Sequence, residues 1–405
     1  MAIGRGKLAE LFEGVGVKRL SRVDATEKSN QHEIGPTKQM REQFLGEVKT
    51  RFPAVYVWLG EDQDGFTAEG WATHYDAREN IPNRSEWRLY YPSNAVTEAM
   101  NEGDTLFLAK HTNGTLWFIV TPEGSTSEKQ LSWLFDVRPA GERFVSREVT
   151  GDEPSLDFAA RFILDELGVE FEEPDADKLD AIIDRFGTTF PKTAEFSDLA
   201  RVTLPEVRAE DDPDTALMLW LDHEEALFRR LERRVVDARL KAGFVDDGIT
   251  DVDGFIQFSL SVQNRRKSRM GHSLEHHLEA VFRAFGLPHE RGAITEHKHK
   301  PDFLFPGGAA YAAAPAGDAG LVMLGSKSTC KDRWRQVLAE AAKIDRKHLL
   351  TLEPGVSEPQ TDQMEASALQ LVVPAPIHAS YTAAQQRWLW NLAGFIDEVR
   401  SRLPE

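Results

Sequence analysis

Apolar residues along this chain recur first with the period of strands and later with the period of helices. Between positions 55 and 121 they come as short runs, at 55–59, 65–75, 86–91, 105–109 and 116–121, with Asp64-Gly65 and Asn113-Gly114 as breaks. Short runs rich in β-branched and aromatic residues, broken by Gly-containing turns, predict a small antiparallel barrel or sandwich. Ahead of them, Leu8, Leu11 and Phe12 fall on one face of a short helix predicted over 1–15, and 17–35 reads as a polar, solvated loop. Beyond 152 the spacing lengthens. Leu156, Ala160, Phe162, Ile163 and Leu167 predict an amphipathic helix, and Leu217, Leu219, Trp220, Leu227, Leu231 and Val235 predict a long one over 211–243. A third, over 273–285, buries Leu274, Leu278, Val281, Phe282 and Phe285. The acidic stretch 169–178, with Pro174 inside it, reads as an exposed linker.

The stretch from 300 to 344 holds the candidate chemistry. Phe303, Leu304 and Phe305 form one apolar run directly after Asp302, and 321–324 forms a second that leads into Lys327. Pro306-Gly307-Gly308 opens the turn between these two predicted strands. From Asp332 onward, Trp334, Val337, Leu338, Ala341 and Ile344 repeat at helical spacing, which places Glu340 on the predicted helix. A carboxylate at one strand's start and an ammonium at the next strand's end suit metal-dependent phosphodiester cleavage. Carboxylates hold a hard cation against a phosphate oxygen and the ion acidifies a water. A lysine orients that water and offsets charge at phosphorus.

Other clusters are weaker signals. Glu275 and Glu279 share one flank of the 273–285 helix. The adjacent His276 and His277 do not make the zinc-binding pattern, in which two histidines stand one turn apart, and they read as structural. Asn264-Arg265-Arg266-Lys267-Ser268-Arg269 is by itself a solvated basic face, and beside a metal site it becomes a clamp for phosphates and bases. His297 and His299 share one short loop without distant partners. Cys330 lies between two lysines but has no histidine context for a cysteine nucleophile.

Composition narrows the picture. No run is long and apolar enough to span a membrane, and 1–14 has no apolar core of a secretory signal. A single cysteine excludes an internal disulfide framework and fits a reducing cytoplasm. A net charge of -18 argues against nucleic acid until its distribution is read. Residues 152–214 carry 19 acids against 6 bases, whereas 262–300 carries 8 bases against 4 acids and 327–347 carries 7 against 3. The field near the candidate site, and not the total, sets phosphate binding.

Several blocks are more specific than their patterns. SLEHHLE, AITE, KPDFLFP, KSTCKDRWRQVLAEAAKI and SVQNRRKSR closely resemble the C-terminal catalytic domain of the EcoRII family of restriction endonucleases, from about 190 to 403. The core resembles the PD-(D/E)XK nucleases, with Pro301-Asp302 as the PD and Lys327 as the final lysine. Gly325 departs from that pattern by standing where a second acid is usual, and Glu340 is the substitute. The resemblance implies that Asp302, Glu340 and Glu275 hold Mg2+, that Lys327 positions the attacking water, and that Tyr311 and Lys331 serve near the scissile phosphate. It implies double-stranded DNA cut at a CCWGG-like site to leave 5′-phosphate ends, a homodimer, and no nucleotide cofactor. DNA contacts are expected from Asn264, Arg265, Arg266, Lys267 and Arg269, and from Asp332, Arg333 and Arg335.

The N-terminal part resembles, through Val17-Lys18-Arg19-Leu20-Ser21, Gln31-His32 and 84–89, the effector-binding β-pseudobarrel of the same family. That fold clamps the major groove with two arms, here about 21–35 and 83–92. Lys18, Arg19, His32, Arg84, Glu86 and Arg88 are the contacts it implies, since arginine can grip guanine and glutamate can accept from cytosine. The expected architecture is an all-β pseudobarrel over 1–165, an acidic linker over 166–188, and over 189–405 an α/β restriction-endonuclease-like domain with a mixed central sheet. Two alternatives remain open from sequence: a modification-dependent endonuclease, and a DNA-binding regulator with an idle nuclease core.

Overall fold

A computed structural model describes residues 6–403 apart from 26–31, 61–64, 82, 153–154, 170–175, 247–248 and 331–332. The chain divides into two compact units, Met1–Glu172 with Pro354–Ser357, and Glu173–Glu353 with Glu358–Glu405.

The first unit is built on eight strands: β1 (Phe12–Arg19), β2 (Glu33–Ile34), β3 (Thr50–Trp58), β4 (Phe66–Asp76), β5 (Trp87–Tyr90), β6 (Thr105–His111), β7 (Leu116–Thr121) and β8 (Val145–Glu148). They lie in the order β2-β5-β4-β3-β7-β6-β1-β8. All pairs are antiparallel except β3 with β7, where Tyr56 lies beside Phe118. That parallel pair departs from the purely antiparallel expectation. It arises because β6 and β7 form a tight hairpin, with Gly114 at φ 88 in the turn, and the hairpin docks as a block against β3.

Both faces of the central strands are covered. On β6, Phe107 and Ala109 face one apolar cluster with Leu131, Ile163 and Leu164, while Leu106 and Leu108 face another with Met40, Phe44 and Val96. The first cluster is closed by the helices Thr126–Leu134 and Phe158–Glu166. The helix expected over 1–15 is a single turn, Leu8–Leu11, and β1 starts at Phe12. Glycines explain the change. Val15 and Val17 point to one cluster, and on the other face Gly16 leaves room for Met40, where a Cβ would fall 2.7 Å from its Cε.

The second unit combines helices with a mixed sheet. Its long helix Pro213–Ala242 starts under an Asp212 cap, whose side chain accepts from Thr215 N at 3.0 Å, and ends at Gly243 with φ 77. A two-strand ribbon, β9 (Val245–Asp246) with β10 (Ile249–Thr250), turns the chain into the helix Val252–Ala284. That helix begins well before the expected 273, so the basic run 264–269 is helical and does not precede the helix.

The sheet follows as β11 (Glu290–Arg291), β12 (Phe303–Phe305), β13 (Val322–Lys327), β14 (Lys347–Thr351) and β15 (Leu369–Val372), in sequence order. β11, β12 and β13 run antiparallel, whereas β13, β14 and β15 run parallel, which is the mixed sheet expected. Phe282 of the long helix packs edge-on against Phe303 and Phe305, each at 5.1 Å between ring centres. The helix expected beyond 332 lasts only from Trp334 to Leu338. Ala341 then turns left-handed at φ 47, so Glu340 lies in a turn after the helix and not on it.

Candidate active site

The register of two strands brings the first pair together. Phe303 on β12 lies opposite Leu324 on β13, so Asp302 stands beside the end of β13. Its Oδ2 accepts from the backbone N of Ser326 at 2.7 Å and from Lys327 Nζ at 2.8 Å. Both side chains keep partial access to water, 17% for Asp302 and 21% for Lys327. The position two residues before Lys327 has no room for an acid. A Cβ on Gly325 would fall 2.9 Å from Val337 Cγ2, so the helix Trp334–Leu338 occupies the space a side chain would need.

Glu340 brings the second carboxylate from beyond that helix. Burial pushes its carboxyl up to about 7, and the negative charge of Asp302 adds to the rise, while Lys327 and Lys347 oppose it. Its Oε2 is buried and has no hydrogen-bond partner. Two acids thus share the site with Lys327 and the nearby Lys347, and one buried Glu340 oxygen has no hydrogen-bond partner among the described residues. An all-oxygen donor set of this kind fits a small hard divalent cation, which commonly takes one or two carboxylates and fills its remaining positions with water and phosphate oxygens. Among the described residues no group of three or more His, Cys, Asp or Glu side chains is placed to hold an ion.

Glu275 does not join this pair. It accepts from Arg291 on β11 at 2.6 Å, and Glu279 accepts from the same guanidinium at 2.8 Å. Glu275 thus takes part in an ion pair that ties the long helix to the sheet edge. Tyr311 is 3% exposed and donates to Glu296 Oε2 at 2.5 Å, so its hydroxyl is already engaged. Burial and that bond push its phenol up to about 12. Cys330 is fully buried, and burial together with Glu353 raises its thiol far above the usual range, which keeps it from acting as a thiolate. Lys331 and Asp332 lie outside the described residues.

The basic run is mostly committed to internal pairs. Arg269, 6% exposed, meets Glu224 at 3.2 Å and also pairs with Glu225, which removes it from the expected DNA-facing clamp. Arg266 pairs with Glu232 at 2.6 Å, and Arg265 lies over the ring of Phe190 at 4.5 Å. Asn264 is exposed, and the Lys267 side chain is outside those described. Arg333 and Arg335 are both exposed, with Arg335 over Trp334 and donating to Gln363.

In the first unit, Lys18 is buried against Asp24 at 2.7 Å and Arg19 pairs with Glu128 at 2.7 Å, so both expected DNA contacts serve the fold. The ring of His32 packs edge-on against Tyr91. Arg84 is exposed, while Arg88 joins Glu86 and Glu33. Glu296 and Lys347 are the site neighbours that sequence reasoning passed over. Neither sits at a periodic position, and only the turn at 340–344 draws them close.

Comparison with known proteins bears on the same stretch. Residues 228–396 match the family model described as EcoRII C terminal. Over 189 residues the chain is 45% identical to the type II restriction enzyme EcoRII of Escherichia coli. Residues 228–396 are thus similar in sequence to the C-terminal part of EcoRII. That alignment covers 46% of the chain and 46% of the EcoRII sequence, so the chain spans about half the length of the curated relative it matches. Asp302, Lys327 and Glu340 all lie inside the EcoRII-like stretch. Solved structures with a related arrangement include metal-depleted Ecl18kI with uncleaved, modified DNA, at 16% identity and TM-score 0.45 over 56% of this chain and 84% of that one. The complex of the restriction endonuclease PspGI with substrate DNA matches at 15% identity and TM-score 0.44, over 53% and 93% of the respective chains.

Proposed function

We propose that this chain is a type II restriction endonuclease that cuts double-stranded DNA at a specific sequence with Mg2+. The observation that carries the reading is the gathering of Asp302, Lys327 and Glu340 within the EcoRII-like half of the chain. Asp302 and Glu340 would hold the ion, which supplies positive charge against the phosphate oxygens and acidity to a water. Asp302 is aimed by Ser326 N, which donates to its Oδ2. Lys327 Nζ, anchored on Asp302, keeps donors to orient a nucleophilic water and to offset charge as phosphorus becomes pentavalent. In-line displacement then leaves a 5′-phosphate and a 3′-hydroxyl.

The finer readings follow from the same resemblance. A CCWGG-like site is proposed for residues 331–336, with Arg333 and Arg335 exposed on that segment to grip guanine edges. The chain is read as an effector-binding pseudobarrel over 1–165, a linker over 166–188 and a catalytic domain over 189–405, working in the cytoplasm without a nucleotide cofactor. Cutting both strands of a palindrome calls for two copies about a two-fold axis. Val252, Ile256 and Leu260, which are 58%, 47% and 52% exposed, form a stripe on the helix Val252–Ala284 that supports such pairing. Leu260→Asp is expected to shift the sedimenting species to monomer, and an unchanged dimer would move the interface elsewhere.

Digestion of matched methylated and unmethylated plasmids with Mg2+, followed by run-off sequencing of the ends, tests the activity and the site together. Cutting of unmethylated DNA at one short sequence is the expected result. Cutting of methylated DNA alone would make the enzyme modification-dependent, and no cutting at all would leave a DNA-binding protein with an idle core.

A further inference from the structure

Glu296 ends the AITE block but has been given no role so far, and it joins three segments around the turn that carries Glu340. It sits half-buried in the turn 295–299, which closes on itself through Thr295 N to His299 O at 2.9 Å and His299 N to Glu296 O at 3.1 Å. His297 and Lys298 both adopt left-handed backbone, at φ 56 and 65. Non-glycine residues avoid that region, so the surrounding contacts must hold it. The Oε2 of Glu296 accepts from Tyr311 Oη at 2.5 Å, on the helix Gly308–Ala313, and from Ala342 N at 3.2 Å. Ala342 is two residues past Glu340 and follows Ala341, itself left-handed.

The same turn is gripped from further points. Tyr311 Oη accepts from Lys343 N at 3.1 Å, and Lys343 Nζ donates to the carbonyls of Tyr311, Ala312 and Ala314 at 2.9, 3.1 and 2.8 Å. Lys347 Nζ donates to Ile344 O at 2.8 Å from the start of β14. Among the described residues Glu340 Oε2 has no hydrogen-bond partner, so that oxygen takes its place from how this turn is held.

We propose that Glu296 is a positioning residue, whose carboxylate locks Tyr311 and the 341–343 turn together so that Glu340 points at Asp302 and Lys327. It touches neither DNA nor ion. Tyr311 on this reading is a member of the brace, and its hydroxyl acts on the turn before any phosphate arrives. The inference rests on the nuclease reading above, because it assigns Glu340 to a cation.

The test uses the full chain without DNA. Mn2+ is titrated into it and binding is read from loss of the free-ion paramagnetic resonance signal, with cleavage against Mg2+ concentration measured in parallel. Glu296→Ala is expected to weaken Mn2+ binding roughly tenfold, as outer-shell substitutions do, and to raise the half-saturating Mg2+ by the same factor. KM for DNA should hold, and excess Mg2+ should restore most of kcat. Glu296→Gln keeps a side-chain oxygen that both donors can reach, so it should bind like the parent. Parent-like Mn2+ binding by the alanine variant, or equal weakness of the glutamine variant, overturns the brace. Should the alanine variant fail to fold, Tyr311→Phe keeps the ring and removes one link, and Mn2+ binding equal to the parent's there also overturns it. A parent chain that neither binds Mn2+ nor cuts DNA removes the nuclease reading itself, whereas a parent that does both beside unaffected variants removes only the brace.

Discussion

The second unit holds two clusters of acids and cations, and they differ in whether their charge is closed. Around Glu224 every charge has its opposite: the fully buried carboxylate meets Arg269 at 3.2 Å and His277 at 2.9 Å, and Arg201 reaches the other ring nitrogen of His277 at 3.0 Å. Around Asp302 and Glu340, Lys327 pairs with Asp302 and Lys347 lies near Glu340, yet among the described residues Glu340 keeps an unpartnered buried oxygen, and both Asp302 and Lys327 stay open to water. A closed, dry cluster locks three helices together. An open one with an unsatisfied carboxylate oxygen is where a cation is proposed to bind. Basic residues written side by side in the sequence therefore do not announce a DNA surface, and the imbalance left after folding is the better guide.

The sharpest way to break this contrast is to remove the ammonium that pairs with Asp302 in the open cluster. Lys327→Ala should lower cleavage by about 10³-fold or more while DNA binding persists, since only charge developed during the reaction is left unmet. Retained cutting, measured in single-turnover assays, would end its assigned role. The closed cluster should respond in stability instead. Arg269→Ala leaves Glu224 buried without its permanent partner and should cost about 3–5 kcal/mol in denaturant unfolding, with kcat of the folded fraction unchanged. Loss of DNA affinity at full stability would put Arg269 on the DNA after all.

Smaller effects sharpen the boundary between the two. Gly325→Asp restores the usual acid but drives a side chain into Val337, and should cost about 1–3 kcal/mol without improving activity. A gain in cleavage would show that the helix Trp334–Leu338 yields. The carboxyl of Glu340 titrates near 7 in the folded chain and from 4.5 when unperturbed. Between those values the folded state keeps a proton that the unfolded state has lost, so this group's contribution to stability is present below pH 4.5 and fades as pH rises through 7. Mg2+ should offset that loss and raise the melting temperature more at pH 8 than at pH 6. In metal-free protein at pH 8, Glu340→Gln should be the more stable form, by about 1 kcal/mol after allowance for the side chain's partial exposure. Equal melting temperatures at both pH values, with and without Mg2+, would remove Glu340 from the site.

Strands at 303–305 and 322–327, and the two long helices, were legible because buried faces leave periodic apolar residues, and Pro and Gly mark where the period stops. Asp302 and Lys327 were legible through the same strand boundaries, since an antiparallel pair of known ends brings those ends together. What local pattern could not supply was pairing at a distance. Phe12 to Arg19 reads as helix followed by loop until Met40 and Phe44 are seen to need the space of Gly14 and Gly16. Arg269 reads as a DNA contact until Glu224 arrives from another helix. The turn at Ala341 breaks an apolar repeat that continues to Ile344, because Glu296, Tyr311 and Lys347 hold the backbone there by hydrogen bonds that no short window contains. Short-range spacing determined which residues carry chemistry; long-range hydrogen bonds and ion pairs, which depend on partners far along the chain, decided which of them remain free to use it.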